Sequence, residues 1–398
     1  MDTIVVTGIA GSLGRRVADR MVGTGCATRI VGVDAREASG LPASIAMHRF
    51  DLAATGAAGD SVTAQLHAIT AGADTVVHLA WQTSDVLEGA EKGGEHAMAE
   101  ANRLALARVL CASASAGVRT LVHLSSATVY GAWADNPVPL TEDAALRPNP
   151  EFAFAVGKAE AERVVADWAA EHPEVAVSVL RPAVTVGSPE RPLYLALSGT
   201  RVPGNDDGGR PVQYLHVDDL AGAVLIAARL SLRGVFNVAP DSGIRESVAR
   251  DLAGGVAKLT LPGRITRPLA AWGWRKWRRG VPREARAYTL HPWVIAPDRL
   301  KAAGWVPGHT SEEALVATDD RPHFDDLPPG RRQNLTVLVA GVSAATVAGA
   351  ALAAVLALRG RQRRRLDLSS TGSRSPEPGG QPAWIRCRAA ARRRAPTR

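Results

Sequence analysis

Short apolar runs alternate with stretches of helical periodicity through the first half of the chain. The runs are TIVVT (3–7), RIVGVD (29–34), TVVHLA (75–80), TLVHLS (120–125) and VAVSVLR (175–181). They lack a polar alternation, which predicts strands buried on both faces, as in a parallel sheet. Between them the periodicity predicts helices near 13–23, 60–71, 95–116 and 153–171. This alternation predicts an α/β fold, a doubly wound parallel sheet of Rossmann type.

From residue 186 the pattern loosens. A segment rich in Gly, Pro and Asp (199–212) precedes a helix at 217–230, a strand at 235–239 and a helix at 298–303. Such late pieces predict a smaller C-terminal substrate-binding region over the carboxyl ends of the strands, where ligands bind in open α/β sheets. The expected organisation is a nucleotide-binding domain at 1–185, a substrate-binding region at 186–317 and a linker at 318–334. Residues 335–358 then run 24 positions without a charge. As a helix they would reach roughly 36 Å, enough for a bilayer core of about 30 Å. A transmembrane helix is expected there, against the alternative of an alanine-rich soluble helix. Gly341, Ala345, Gly349 and Ala353 form a small-residue stripe, a weak sign of helix pairing, and a homodimer is left open.

Charge sharpens this organisation. The 398 residues carry a net +8, yet residues 359–398 alone hold twelve arginines against two acids, a net of +10, which leaves −2 for the rest. The folded body is therefore not basic, and no specific nucleic-acid partner is expected. The last forty residues read as a disordered basic tail. No basic leader precedes the first strand, so the body is expected in the cytoplasm, anchored to the cell membrane by the C-terminal helix. The arginines after the span would place the tail in the cytoplasm too. One crossing cannot satisfy both, and the cofactor argument below takes precedence. Cys26, Cys111 and Cys387 are far apart and odd in number, which predicts neither a disulfide framework nor a metal site.

The candidate chemistry begins at VTGIAGSLGRRV, between the first strand and the first helix. Gly8 allows a tight turn, Gly11 lets backbone approach a pyrophosphate, and Gly14 lets helix and strand pack closely. Ser12 and Leu13 open the helix whose amino terminus faces the phosphates. Asp34 ends the second strand twenty residues after Gly14. Its carboxylate suits the adenosine ribose and would repel a 2′-phosphate, so NAD is expected rather than NADP, with Arg36 as the contrary sign. Asp51 and Leu52, in the stretch between RIVGVD and TVVHLA, are candidates for the adenine edge. Leu79 and Ala80, at the end of TVVHLA, leave room for the cofactor. His78 and His123 read as packed residues.

These motifs together resemble the extended short-chain dehydrogenase/reductases, the NAD-dependent epimerase/dehydratase family, over roughly residues 1–315. TGIAGSLG is similar to that family's TGxxGxxG opening. Asn102 matches its helix asparagine, SSATVYG (125–131) its serine motif and LRPAVTVG (180–187) its Arg-Pro segment. HVDDLA (216–221) and DRLKAAGWVP (298–307) resemble its late segments. The resemblance implies a Tyr-x-x-x-Lys pair with a serine around a substrate hydroxyl. The tyrosine is the acid/base, the lysine lowers its pKa and holds the nicotinamide ribose, and the serine bonds the reacting oxygen. Carried over, the serine is Ser126 and the lysine Lys158, but the tyrosine position holds Phe154.

A phenyl ring has no proton to give, and general acid–base catalysis is worth about 10²–10⁴-fold. Tyr130, Glu151, or Ser126 with a water are the alternative donors, and a catalytically impaired NAD-binding sensor or scaffold is the rival reading. Enzyme activity is nonetheless the leading expectation: an epimerase, dehydratase or dehydrogenase on a small hydroxyl-bearing molecule, either a nucleotide sugar or a lipid- or sterol-like alcohol. Resemblance to the sugar-nucleotide epimerases would imply an arginine a few residues before the HVDDLA motif to help clamp a diphosphate, but four residues before His216 stands Val212. Arg210 is the nearest. AWGWRKWRRG (271–280) either rests on a membrane surface or packs its tryptophans inward.

Overall fold

The computed structural model describes residues 2–38, 40–82, 94–187, 210–241, 243–252, 285 and 287–317. All of them lie in one compact unit, Met1–Arg321. The first half is built from β1 (Thr3–Thr7), α1 (Ser12–Gly23), β2 (Arg29–Asp34), β3 (Ile45–Arg49), α2 (Gly56–Thr70) and β4 (Thr75–His78). It continues through α3 (Gly94–Ala116), β5 (Thr120–Leu124), α4 (Ala153–Glu171) and β6 (Ala176–Pro182). Then come β7 (Val184–Val186), β8 (Pro211–Val212), β9 (Tyr214–His216), α5 (Val217–Arg229), β10 (Gly234–Val238), β11 (Ile244–Arg245) and α6 (Glu246–Leu252). Three short helices close the unit: α7 (Ala287–Leu290), α8 (Asp298–Ala302) and α9 (Ser311–Val316).

Seven strands form one sheet in the order β10-β6-β5-β4-β1-β2-β3, and every pairing in it is parallel. Helices cover both faces, which is why the central strands are continuously apolar. Val5, Val31, Val76 and Leu121 pack in one core, while Ile4, Val6, Val77 and Val122 pack in the other. The doubly wound expectation holds, with β4 and β5 ending two and one residues earlier than the apolar runs suggested. Strand β10 comes from the stretch read as substrate-binding, yet it extends the nucleotide-binding sheet beside β6.

The late segments are tied back by polar anchors. Asp219, buried in α5, accepts from the backbone N–H of Gly308 at 2.9 Å and of His309 at 3.0 Å. Arg16 of α1 reaches Asp218 at 2.7 Å and the carbonyl of Gly187 at 3.1 Å. The HVDDLA motif therefore locks the dinucleotide helix to the later elements. The expected linker, transmembrane helix (335–358) and tail lie outside the described residues, as does AWGWRKWRRG. Among the described residues, no helix is long and apolar enough to cross a membrane.

Candidate active site

Chain reversal at the end of β1 needs a left-handed residue, and Gly8 supplies it with φ +77°. A side chain there would also strike the chain after β4, because a Cβ would lie 2.7 Å from the Ala80 nitrogen. At Gly14 a Cβ would sit 2.3 Å from the Gly8 carbonyl oxygen, so α1 packs onto the turn only without one. Gly11 precedes α1 in extended backbone, and no side chain caps that end or places an acid in its first turn. The amino terminus keeps its partial positive charge for an anion. Ser12 is buried, and Leu13 packs against the core beneath the turn.

Asp34 closes the cradle. It is buried at the end of β2, where one carboxylate oxygen accepts from Ala10 N–H at 2.9 Å and the other from Arg36 N–H at 2.9 Å. The Arg36 guanidinium stands 3.5 Å from the same carboxylate. Leu52 and Leu79 are buried near this end of the sheet, and Ala80 faces Gly8. Asp51 is exposed, with one oxygen accepting from Ala53 N–H in its own turn. Turn, helix end and acid together fit an adenine dinucleotide.

Helix α4 begins at Ala153, so Phe154 lies in its first turn and Lys158 one turn later. The Phe154 ring is half-buried and 5.7 Å from that of Phe152, which packs 5.2 Å from Tyr288. Lys158 is buried. Its Nζ donates to the Leu124 carbonyl at 2.8 Å and lies 3.8 Å from the centre of the Trp81 ring. Burial pushes its pKa down to about 7, against the opposing charge of Glu162. Ser126 is buried at the start of a 3-10 turn (Ala127–Tyr130). Its Oγ accepts from Thr128 N–H at 3.3 Å and from the Thr128 hydroxyl at 3.0 Å.

The sequence model of the NAD dependent epimerase/dehydratase family matches residues 4–239, more than half of the chain. The chain belongs to that family. An uncharacterised protein of Mycobacterium tuberculosis is 29% identical over 266 residues, covering 65% of this chain and 66% of its own length. A dTDP-glucose 4,6-dehydratase of Streptomyces griseus is 28% identical over 251 residues, covering 59% and 72%. Among solved structures, a UDP-glucose 4-epimerase of Thermus thermophilus in complex with NAD aligns with a TM-score of 0.58 at 23% identity, over 79% of this chain and 97% of that one. A dTDP-glucose 4,6-dehydratase of Bacillus anthracis in complex with NAD gives 0.56 at 18% identity, over 80% and 95%. These structures share the fold. NAD is the cofactor of this epimerase/dehydratase-family chain.

Beyond Lys158, five polar residues (Glu162, Ser125, Arg181, Tyr130 and Asn237) form a buried hydrogen-bonded lattice. Glu162, one turn beyond Lys158, accepts from Arg181 at 2.5 and 3.0 Å and also from the Ser125 hydroxyl. Arg181 donates in turn to the Tyr130 hydroxyl at 2.7 Å, and Tyr130 donates to Asn237 at 2.7 Å. Tyr130 is thus engaged on both sides, and burial raises its pKa. Glu151 is exposed and precedes the helix. Arg210 bonds Glu246 and the carbonyls of Tyr288 and His291, which ties segments together beneath the surface. Asn102 receives Gln82 N–H at 2.8 Å and donates to its carbonyl at 3.2 Å, fixing the chain beside Trp81.

Strand register brings Thr7, His78 and His123 side by side. Thr7 and His78 are hydrogen-bonded at 2.7 Å. Burial, with the charge of Lys158, pushes His78 down to about 3 and His123 well below the ordinary range. Both are packed residues, as expected. Sequence reasoning missed Trp81, Glu162 and Tyr288. Glu162 was within reach, since it stands at i+4 from Lys158. Trp81 and Tyr288 had no local signal.

Proposed function

We propose that the chain is an NAD-dependent oxidoreductase of the epimerase/dehydratase type, acting on a hydroxyl-bearing carbon of a small substrate. One observation carries this reading. Lys158, which a merely solvated helix would point outward, is buried and bonded to the Leu124 carbonyl, two residues before Ser126. Bound NAD supplies the hydride acceptor. The turn at Gly8–Gly14 and Asp34 hold the dinucleotide, and Lys158 is the group set to bond the nicotinamide ribose. Ser126 accepts both Thr128 hydrogens, so its own O–H is left to donate to the reacting oxygen.

The relatives' names point to nucleotide sugars as first probes, dTDP-glucose and UDP-glucose. A sterol-like alcohol is the third probe, because of the uncharged run at 335–358. NADH formation or epimerisation is expected with the native protein and lost in Lys158→Ala. Turnover untouched by Lys158→Ala would remove the assigned site. The second reading, an NAD-binding sensor, is favoured by the ring without a hydroxyl at Phe154 and by the prior engagement of Tyr130. Activity that arises only in Phe154→Tyr would select it. Anchoring by 335–358 predicts that the full chain sediments with membranes while a chain ending at residue 330 does not.

A further inference from the structure

Oxidising an alcohol releases a proton that Phe154 cannot take. We propose that Lys158 itself carries this proton and that Trp81 is the positioning residue that holds it ready, an inference that rests on the oxidoreductase reading above. The Nζ atom is bracketed by two groups, the Leu124 carbonyl at 2.8 Å and the Trp81 ring with its centre 3.8 Å away. Leu124 ends β5 two residues before Ser126, so the amine lies beside the serine segment. Trp81 is itself fixed. Asn102 holds both backbone groups of the next residue. The ring also lies down on α4 at Gly157, where a Cβ would be 3.5 Å from it.

The charged and titratable neighbours that act on the amine come from three elements. Glu162 on α4 favours the ammonium. His78 on β4 and His123 on β5 are both driven neutral, in part by Lys158. No described carboxylate forms an ion pair with Nζ within 4.0 Å, so burial prevails over Glu162. The amine then titrates at about 7. Both its forms coexist at neutral pH, which is the condition for taking a proton in one direction and returning it in the other. The step balances. The substrate O–H proton passes to the Nζ lone pair as the C–H hydride leaves for bound NAD and the C=O bond forms, and the reverse step restores all three.

Trp81 acts on Lys158 in two opposed ways. Attraction of the ring for the ammonium raises the pKa by at most about one to two units. Exclusion of water from a fully buried amine lowers it by up to about three to five. Exclusion wins, so removing the ring is expected to raise the titration of Lys158.

The test is an NMR titration of the full chain carrying ¹³Cε-labelled lysine, together with pH profiles of oxidation of dTDP-glucose, UDP-glucose and the sterol-like alcohol. There are five lysines in the chain, and Lys158→Met assigns the signal. The expected Lys158 midpoint is about 7, raised by at least about one unit in Trp81→Leu and restored in Trp81→Phe. The rising limb of kcat/KM should share that midpoint and move with it. A wild-type midpoint above about 9 overturns the proposal, and so does a rate limb that stays put while the NMR midpoint moves. Neither NADH nor an epimerised or dehydrated product from any probe, with the NMR midpoint still near 7, overturns the oxidoreductase reading itself and leaves Lys158 no proton to carry.

Discussion

A buried lysine that gives up its charge on folding should make the protein more stable as pH rises. In the unfolded chain the lysine titrates near 10.5, whereas in the fold Lys158 titrates at about 7. Between those values the unfolded chain binds a proton that the native chain does not, so unfolding is favoured at the acidic end of the window. Stability from this group is complete above 10.5 and is lost progressively as pH falls towards 7. The slope for one proton is about 1.4 kcal/mol per pH unit. Across about two pH units inside the window, roughly 3 kcal/mol is expected. Lys158→Met keeps much of the side-chain length and removes the titration. Urea unfolding of both proteins, followed by circular dichroism from about pH 7.5 to 9.5, measures the effect. Subtracting the two curves cancels the titrations they share, those of Tyr130 and Tyr288 among them. Wild-type stability should climb relative to the variant by about 3 kcal/mol. Parallel curves would refute the claim that burial holds the Lys158 amine well below its ordinary range.

Other perturbations have equally definite outcomes. Gly14→Ala drives a methyl group into the Gly8 carbonyl and should cost on the order of 1–3 kcal/mol in urea unfolding, with NAD affinity by calorimetry down at least about tenfold. Glu162→Gln leaves Arg181 buried with a weakened partner, and Arg181→Met strands Glu162. Each removes one half of a buried pair, which costs about 3–5 kcal/mol when a charge is left uncompensated, readable as a fall in the urea midpoint. On the acid side, His78 is neutral in the fold down to about pH 3, while in the unfolded chain it charges below 6.5. Its contribution is therefore present above 6.5 and lost as pH falls, by roughly 2 kcal/mol at about pH 5. His78→Leu should flatten the acid limb of stability over that range.

Much of this fold was legible because burial on both faces leaves strands no polar positions. The edge strand β3, IAMHR, was harder to see. Only part of it is buried, so it carries Met, His and Arg and never forms an apolar run. The pairs β7–β9 and β8–β11 span two or three residues each and exist through tertiary pairing alone. At the site, the glycine turn and Asp34 could be read because their spacing follows from the path of one strand–turn–helix unit. Lys158 and Phe154 were singled out by the family resemblance, which implies a Tyr-x-x-x-Lys pair, and helix geometry added only that they lie one turn apart. The Trp81 contact joins residues far apart in the chain through the packing of one loop against one helix, and no spacing rule encodes it. Tyr130 was ambiguous for the same reason: its partners, Arg181 and Asn237, lie on two later strands.

The ring at position 154 has a genetic side as well as a chemical one. Phenylalanine and tyrosine codons differ by a single base, and the aromatic ring already stands in the first turn of α4. The phenol is thus one point mutation away, with no rebuilding of helix or core required. With the ring in place and the lysine buried a turn away, this site differs from the Tyr-x-x-x-Lys pair of its family by a single oxygen atom.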